Sequence, residues 1–244
     1  MTTLELGGKS PILVFEDADL DSAANGLIAA NFGASGQSCV AGSRGLIHRR
    51  ILPDLIARIT DKASGIVVGD PLNSATHVGP LCTGAQIDRI VDTLAKAQSQ
   101  GATIHFGGAP LERYGNYMAP TLVECSSEDI ETLHIEMFGP VMSLIPFDTE
   151  EEAVLMANNS QFGLGSGVFT QNIARAHRVS DRIRSGICWV NTYRAISPIA
   201  PFGGFNQSGY GREAGQDAIL DYTRTKTTWI NTSDAPMQNP FVMR

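Results

Sequence analysis

Three segments carry side chains that could do covalent chemistry. Cys39 stands in Gly36-Gln37-Ser38-Cys39-Val40-Ala41-Gly42, a stretch rich in small residues. A thiol attacks carbon only as its thiolate, which needs partial exposure and nearby dipoles, and a flexible loop beside a helix terminus can supply both. A lone cysteine is also, more often than not, a small buried hydrophobe. Glu5 lies between Leu4 and Leu6, just ahead of Gly7-Gly8. A carboxylate flanked in this way can be desolvated, which raises its pKa toward general-base duty. The same octapeptide, Leu4 to Pro11, also reads as a solvated glutamate at a strand end. Glu136-Met137-Phe138-Gly139-Pro140-Val141 puts a carboxylate, an aromatic face and a stiff Gly-Pro together, suited to gripping a ribose beside a flat ring, or simply a turn entering a strand.

Other patterns lead nowhere. Gly209-Tyr210-Gly211-Arg212-Glu213-Ala214 fits the dinucleotide pattern of spaced glycines, but it follows a loop and too little chain remains for the strand–helix–strand unit. Cys39, Cys82, Cys125 and Cys188 are far apart and the five histidines are dispersed, so no metal site is expected. With 18 basic against 25 acidic residues the net charge is −7 and no basic stripe exists, which argues against nucleic-acid binding. The start, Met-Thr-Thr-Leu-Glu, is no signal peptide and no apolar run approaches membrane-spanning length, so the expectation is a soluble, cytoplasmic chain with free thiols.

A chain of 244 residues with 43% hydrophobic content can bury a sizeable core. From residue 11 helical periodicity alternates with short β-branched runs, which predicts an α/β fold on a mainly parallel twisted sheet flanked by helices. Helices are expected after Asp19, over Pro53–Ala63, from about Gly84 to Gln100, over Asp148–Asn159, over Ile173–Ser185 and over Ala214–Tyr222. Strands are expected near Arg44–His48, Thr103–Phe106, Pro120–Glu124, Val141–Phe147, Gly167–Phe169, Ile187–Asn191 and Thr225–Ile230. The helix after Asp19 stops at Gly33 to Gly36, so Cys39 is presented from the loop behind it. Residues 66–80, 107–118 and 200–212 read as loops, and 235–244 as a tail.

In this order and spacing, Leu4-Glu5-Leu6-Gly7-Gly8-Lys9-Ser10-Pro11, Gly36-Gln37-Ser38-Cys39 and Glu136-Met137-Phe138-Gly139-Pro140-Val141 resemble the aldehyde dehydrogenase superfamily. Trp189-Val190-Asn191, Pro201-Phe202-Gly203-Gly204-Phe205, Ser208-Gly209 and Gly211-Arg212-Glu213 extend the resemblance over essentially the whole chain. It implies a catalytic domain over residues 1–231, ending in a strand that pairs across subunits, with a tail at 232–244. It implies Cys39 as nucleophile toward an aldehyde, giving a thiohemiacetal and then a thioester, with Glu5 activating the hydrolytic water and the Cys39 N–H as an oxyanion donor. Glu136 resembles the ribose-binding carboxylate, Phe138 the aromatic beside the nicotinamide of NAD or NADP, Glu213 an interior proton-relay glutamate and Phe202 a lining residue of the aldehyde channel, with the Tyr193–Ile199 loop shaping substrate choice. Members that pass the acyl group to coenzyme A commonly lack the carboxylate found here as Glu5, so hydrolysis to a free acid is expected.

Family members are about twice as long, and the half not present here carries the Rossmann-type cofactor site and the second oxyanion donor. Weak cofactor binding by this chain alone is therefore expected, as is association into homo-oligomers. Two other readings stand beside the dehydrogenase: a cofactor-independent thiol esterase, and a non-enzymatic fragment that keeps the fold for oligomer formation.

Overall fold

The computed structural model describes residues 2–112 and 115–242. Arg113 and Tyr114 of the expected 107–118 loop, Met243 and Arg244 of the expected tail, and Met1 lie outside the described residues. In chain order the strands are β1 (Leu4–Glu5), β2 (Pro11–Val14), β3 (Arg44–His48), β4 (Thr103–Phe106), β5 (Thr121–Glu124), β6 (Val141–Phe147), β7 (Phe162–Gly163), β8 (Gly165–Phe169), β9 (Ile187–Val190), β10 (Phe205–Asn206) and β11 (Gly209–Tyr210). The helices are α1 (Leu20–Asn31), α2 (Leu52–Ser64), α3 (Gly84–Ser99), α4 (Glu150–Asn158) and α5 (Ile173–Arg182).

Seven strands form one sheet in the order β4-β5-β6-β3-β2-β8-β9, parallel except where β4 pairs antiparallel with β5. Successive strand residues point to opposite faces, and both faces are apolar, as a parallel sheet covered on both sides requires. Ile12, Val14 and Leu144 join Leu27 of α1 and Leu55 and Ile59 of α2 in one core. Leu13, Leu46, Ile145 and Val168, in register across four strands, join Ile90 and Leu94 of α3, Val154 of α4 and Val179 of α5 in the other. Each such fully buried aliphatic side chain contributes about 1.5–3 kcal/mol of transfer free energy.

Local signals fix the helix starts. Asp19 accepts the Ser22 N–H at 2.8 Å ahead of α1. Thr149 accepts the Glu152 N–H at 3.2 Å while Glu152 reaches back to the Asp148 N–H at 2.7 Å, a reciprocal arrangement that satisfies two orphan donors of α4. At the other end of α4 the buried Arg44 guanidinium donates to the carbonyls of Met156, Ala157 and Asn159 and to that of Lys9, joining α4 to β2.

The chain end departs from expectation. Thr225–Ile230 forms no ladder and is exposed throughout, since a strand needs a partner edge and the described residues offer it none. The helix expected over Ala214–Tyr222 contracts to a 3₁₀ segment, Asp217–Tyr222, because Ala214 and Gly215 are both left-handed and cannot continue a helix. Two short pairs were not legible as strands: β1 with β11 holds the N-terminal segment to the 203–211 loop, and β7 with β10 holds Phe162–Gly163 to the same loop. Among the described residues, no helix is long and apolar enough to cross a membrane.

Candidate active site

The segments singled out by sequence all enter parallel strands. Gly7-Gly8 precedes β2, the Cys39 turn precedes β3 and Glu136–Gly139 precedes β6. Because β2, β3 and β6 are parallel and in register, their entry loops emerge at one edge of the sheet. Residues far apart in sequence thus meet there.

The Cys39 turn follows α1 through a left-handed run, Ala34, Ser35 and Gly36. Ser35 Oγ donates to the Gly79 carbonyl at 3.0 Å and Gln37 Oε1 accepts the Cys82 N–H at 2.9 Å, pinning the turn to the 79–82 segment. Gly36 lies so close to Gly139 that an added Cβ would meet its carbonyl oxygen at 2.0 Å, which locks the Cys39 loop to the Glu136 loop. The Cys39 carbonyl in turn rests on Gly8.

Cys39 is half-buried beside Val40, Leu164, Trp189, Tyr193 and Phe202, an apolar and aromatic wall suited to the carbon chain of a small substrate. Tyr193 is tilted against Trp189 at 4.5 Å and donates to the Val40 carbonyl at 2.9 Å; burial pushes its phenol above the ordinary range. Burial also raises the Cys39 thiol, the N–H groups of Val40 and of Cys39 itself lower it, and the charges of Glu5 and Glu136 raise it again.

Glu5 is half-buried, and both carboxylate oxygens are buried without a hydrogen-bond partner among the described residues. Its pKa is raised by burial first, then by Glu213, against a lowering by Arg212. Leu4 and Leu6 are not the cause, since their side chains lie exposed; the carboxylate is enclosed by Gly203, whose added Cβ would meet Oε1 at 2.9 Å. Ser208 holds this strand in place by accepting the Gly163 N–H and donating to the Gly7 carbonyl at 2.7 Å, a role the Ser208-Gly209 motif did not reveal by itself.

Glu136 is half-buried and accepts the Gly8 N–H at 3.0 Å through Oε1, with Oε2 against Gly7. Phe138 is 39% exposed, with a left-handed backbone at φ 49°. Gln86 of α3 donates to the carbonyls of Met137 and Phe138, and Arg89 to that of Met137 at 3.2 Å. These two helix residues, three apart on one face, support the loop; nothing in their sequence context marked them. Phe202 is bridged to Glu213 by paired backbone hydrogen bonds of 2.7 Å. Glu213, expected in the interior, is exposed: its backbone is bridged to Phe202, but its side chain is left open to solvent.

Lys9 was read only as part of a motif. Its ammonium is fully buried, without a hydrogen-bond partner among the described residues, and burial, with Arg44 nearby, lowers its pKa to about 7. Among the described residues, no group of three or more His, Cys, Asp or Glu side chains is placed to hold a metal ion.

Fold and site together define a class: an α/β domain that gathers a half-buried thiol and two carboxylates at the entry edge of its parallel strands. The profile of the aldehyde dehydrogenase family matches residues 1–228, and the chain belongs to that family. A (Z)-2-((N-methylformamido)methylene)-5-hydroxybutyrolactone dehydrogenase from Acinetobacter baylyi is 50% identical over 243 residues, 99% of this chain and 50% of that protein. A 4-trimethylaminobutyraldehyde dehydrogenase from Oryzias latipes is 42% identical over 239 residues, 95% of this chain and 47% of that protein. The solved NAD+ complex of an aldehyde dehydrogenase from Bacillus cereus superposes with a TM-score of 0.91 at 38% identity, over 96% of this chain and 48% of that one. The chain spans about half the length of the curated relatives it matches.

Proposed function

We propose that this chain supplies the nucleophile and the general base for NAD(P)-dependent oxidation of an aldehyde to a carboxylic acid. The observation that carries the reading is that Cys39 and Glu5, 34 residues apart in sequence, both come to the Phe202-Gly203 segment, Cys39 packing in one cluster with Phe202 and the Glu5 carboxylate lying against Gly203. Cys39 Sγ, as thiolate, adds to the aldehyde carbon beside the Trp189, Tyr193 and Phe202 wall, and the Cys39 N–H donates to the oxygen that becomes negative. A nicotinamide cofactor held by Glu136 and Phe138 would supply the hydride acceptor needed between thiohemiacetal and thioester. Glu5, with no hydrogen-bond partner among the described residues and a raised proton affinity, takes a proton from the water that attacks the thioester carbon, and Cys39 leaves as thiolate.

Glu136 and the exposed ring of Phe138 fit the ribose and the nicotinamide side of such a cofactor. Glu213 raises the proton affinity of Glu5 through its charge, so we assign it an electrostatic influence on the base beside the proton-relay role the resemblance implies. A small aldehyde is the substrate, and the protein works in the cytoplasm. The exposed Trp229, Ile230 and Phe241 of the C-terminal arm support self-association, which sedimentation over a range of concentrations tests; a monomer at high concentration overturns it.

The catalytic reading is tested with p-nitrophenyl acetate, whose acyl transfer needs Cys39 and Glu5 but no cofactor. The wild-type chain acylates the Cys39 peptide and the Cys39→Ala variant does not. Equal ester hydrolysis by both overturns the reading. With the chain alone, NAD+ reduction stays negligible; a rate near that of full-length relatives overturns the expected weak cofactor grip. The esterase alternative is favoured by the same cofactor-independent pair.

A further inference from the structure

Cys39 and Val40 are the two central residues of a tight turn that the Ala41 N–H closes on the Ser38 carbonyl at 2.9 Å. The common forms of such a turn differ by a flip of the central peptide, here the one joining Cys39 to Val40. A flip would exchange the places of the Cys39 carbonyl and the Val40 N–H. Two contacts oppose it. The Cys39 carbonyl is packed on Gly8, 2.2 Å from an added Cβ, and the Val40 carbonyl accepts the Tyr193 hydroxyl at 2.9 Å. Tyr193 is brought there by a short, heavily bonded loop. Asn191, just past β9 and left-handed at φ 53°, which asparagine tolerates, pairs through its side-chain amide with the N–H and carbonyl of Thr170 at 3.0 and 2.9 Å. The Trp189 indole N–H closes the loop on the Ala195 carbonyl at 2.8 Å. The chain thereby turns back over β8. An added Cβ at Gly167 would meet two Tyr193 ring carbons at 3.0 and 3.1 Å, and one at Gly165 would meet the hydroxyl at 3.4 Å. Glycines weaken a strand, and two of them on one face of β8 mark the close approach of this ring.

We propose that Tyr193 is a positioning residue for the nucleophile: its hydroxyl, carried over Gly165 and Gly167 of β8, holds the Val40 carbonyl and so keeps the Cys39–Val40 turn in the single form that presents the sulfur to substrate. This rests on the reading of Cys39 as nucleophile. It gives Tyr193, expected only as the start of a loop that shapes substrate choice, a task performed through the backbone of another segment. Burial raises the pKa of the phenol, so the hydroxyl keeps the proton it donates throughout the neutral range. The Val40 N–H of the held turn lowers the proton affinity of the Cys39 thiol, so the form that Tyr193 maintains is one that supports the thiolate. Hydroxyl and ring have separable tasks. The ring stays in the apolar wall through its contact with Trp189, 4.5 Å between centroids, whether or not the hydroxyl is present.

The experiment is the pre-steady-state burst of p-nitrophenyl acetate on the full chain, which separates the acylation rate constant of Cys39 from the half-saturating ester concentration. Tyr193→Phe keeps the ring and removes the donor. Its acylation rate constant is expected to fall about tenfold or more while half-saturation stays as in wild type, because the wall that meets the ester is intact and only the sulfur is misplaced. Replacement of Tyr193 by 4-aminophenylalanine puts an N–H donor on the same ring and is expected to restore the rate constant to within about threefold of wild type. Circular dichroism and urea unfolding confirm that each variant is folded. A wild-type acylation rate constant in Tyr193→Phe overturns the proposal, and so does a loss that the amine leaves unrestored. A raised half-saturation with the rate constant intact overturns it too, returning Tyr193 to substrate binding. A wild-type burst that leaves the Cys39 peptide unacylated by mass spectrometry overturns the nucleophile reading instead, whatever the Tyr193 variants show.

Discussion

The carbonyl oxygen of Cys39 rests on Gly8 so tightly that a Cβ there would stand 2.2 Å away. The opposing atom is backbone, which cannot rotate aside as a side chain can. Gly8→Ala is expected to push the Cys39 turn outward, with a stability loss of about 2 kcal/mol and a larger loss of ester hydrolysis. Urea unfolding and p-nitrophenyl acetate turnover check this; an unchanged midpoint and rate would show that the loop yields freely.

Arg44 is buried, with its pKa lowered to about 10 by that burial, and donates to carbonyls of Lys9, Met156, Ala157 and Asn159. Arg44→Met keeps the stem and strands those acceptors. Loss of about 3 kcal/mol is expected, read as a lower urea midpoint with the same slope. A loss below measurement error would mean that the carbonyls find other donors.

Lys9 should impose a pH dependence on stability. The folded chain gives up this proton near pH 7, against an ordinary lysine value of 10.5. Between those values the unfolded chain holds more protons, so stability rises with pH across the window, and the slope vanishes below pH 7, where both states are charged. Lys9→Met is expected to flatten the rise and to be more stable than wild type at pH 6, on the order of 3 kcal/mol. Parallel slopes for the two proteins between pH 7 and 10 would refute this.

Glu5 must be ionised to act as base, and burial raises its pKa. Deacylation of the Cys39 ester intermediate should therefore fail as pH falls, with a midpoint above that of an ordinary glutamate. Glu5→Gln is expected to slow deacylation by about 10²–10⁴-fold while acylation of Cys39 persists, and to abolish that acidic limb. Stopped-flow burst kinetics separate the two steps, and a wild-type deacylation rate in the variant would remove Glu5 from the mechanism.

Much of the fold was legible because its signals are local. Asp19 and Thr149 cap their helices by bonds to residues three positions on, and apolar periodicity marks α2 and α3 whatever they pack against. Thr225–Ile230 shows the limit: its β-branched and aromatic residues favour extension, but a strand exists only through a partner edge, which sequence preference does not supply. The pairs β1–β11 and β7–β10 were missed for the converse reason, being two-residue ladders made by tertiary contact alone.

By itself the sequence singled out the candidate residues, because Cys39, Glu5 and Glu136 with their glycines form a pattern in fixed order, and it determined the α/β class through periodicity. Only the tertiary structure decided the state of those residues. Burial and charge at a site depend on what other loops place there: Gly203 encloses Glu5 although Leu4 and Leu6 do not, two carboxylates oppose the Cys39 thiolate that a flexible loop was expected to favour, and Lys9 ends wholly buried. Electrostatic energy is a function of distance and dielectric in space, and neither is written in separation along the chain.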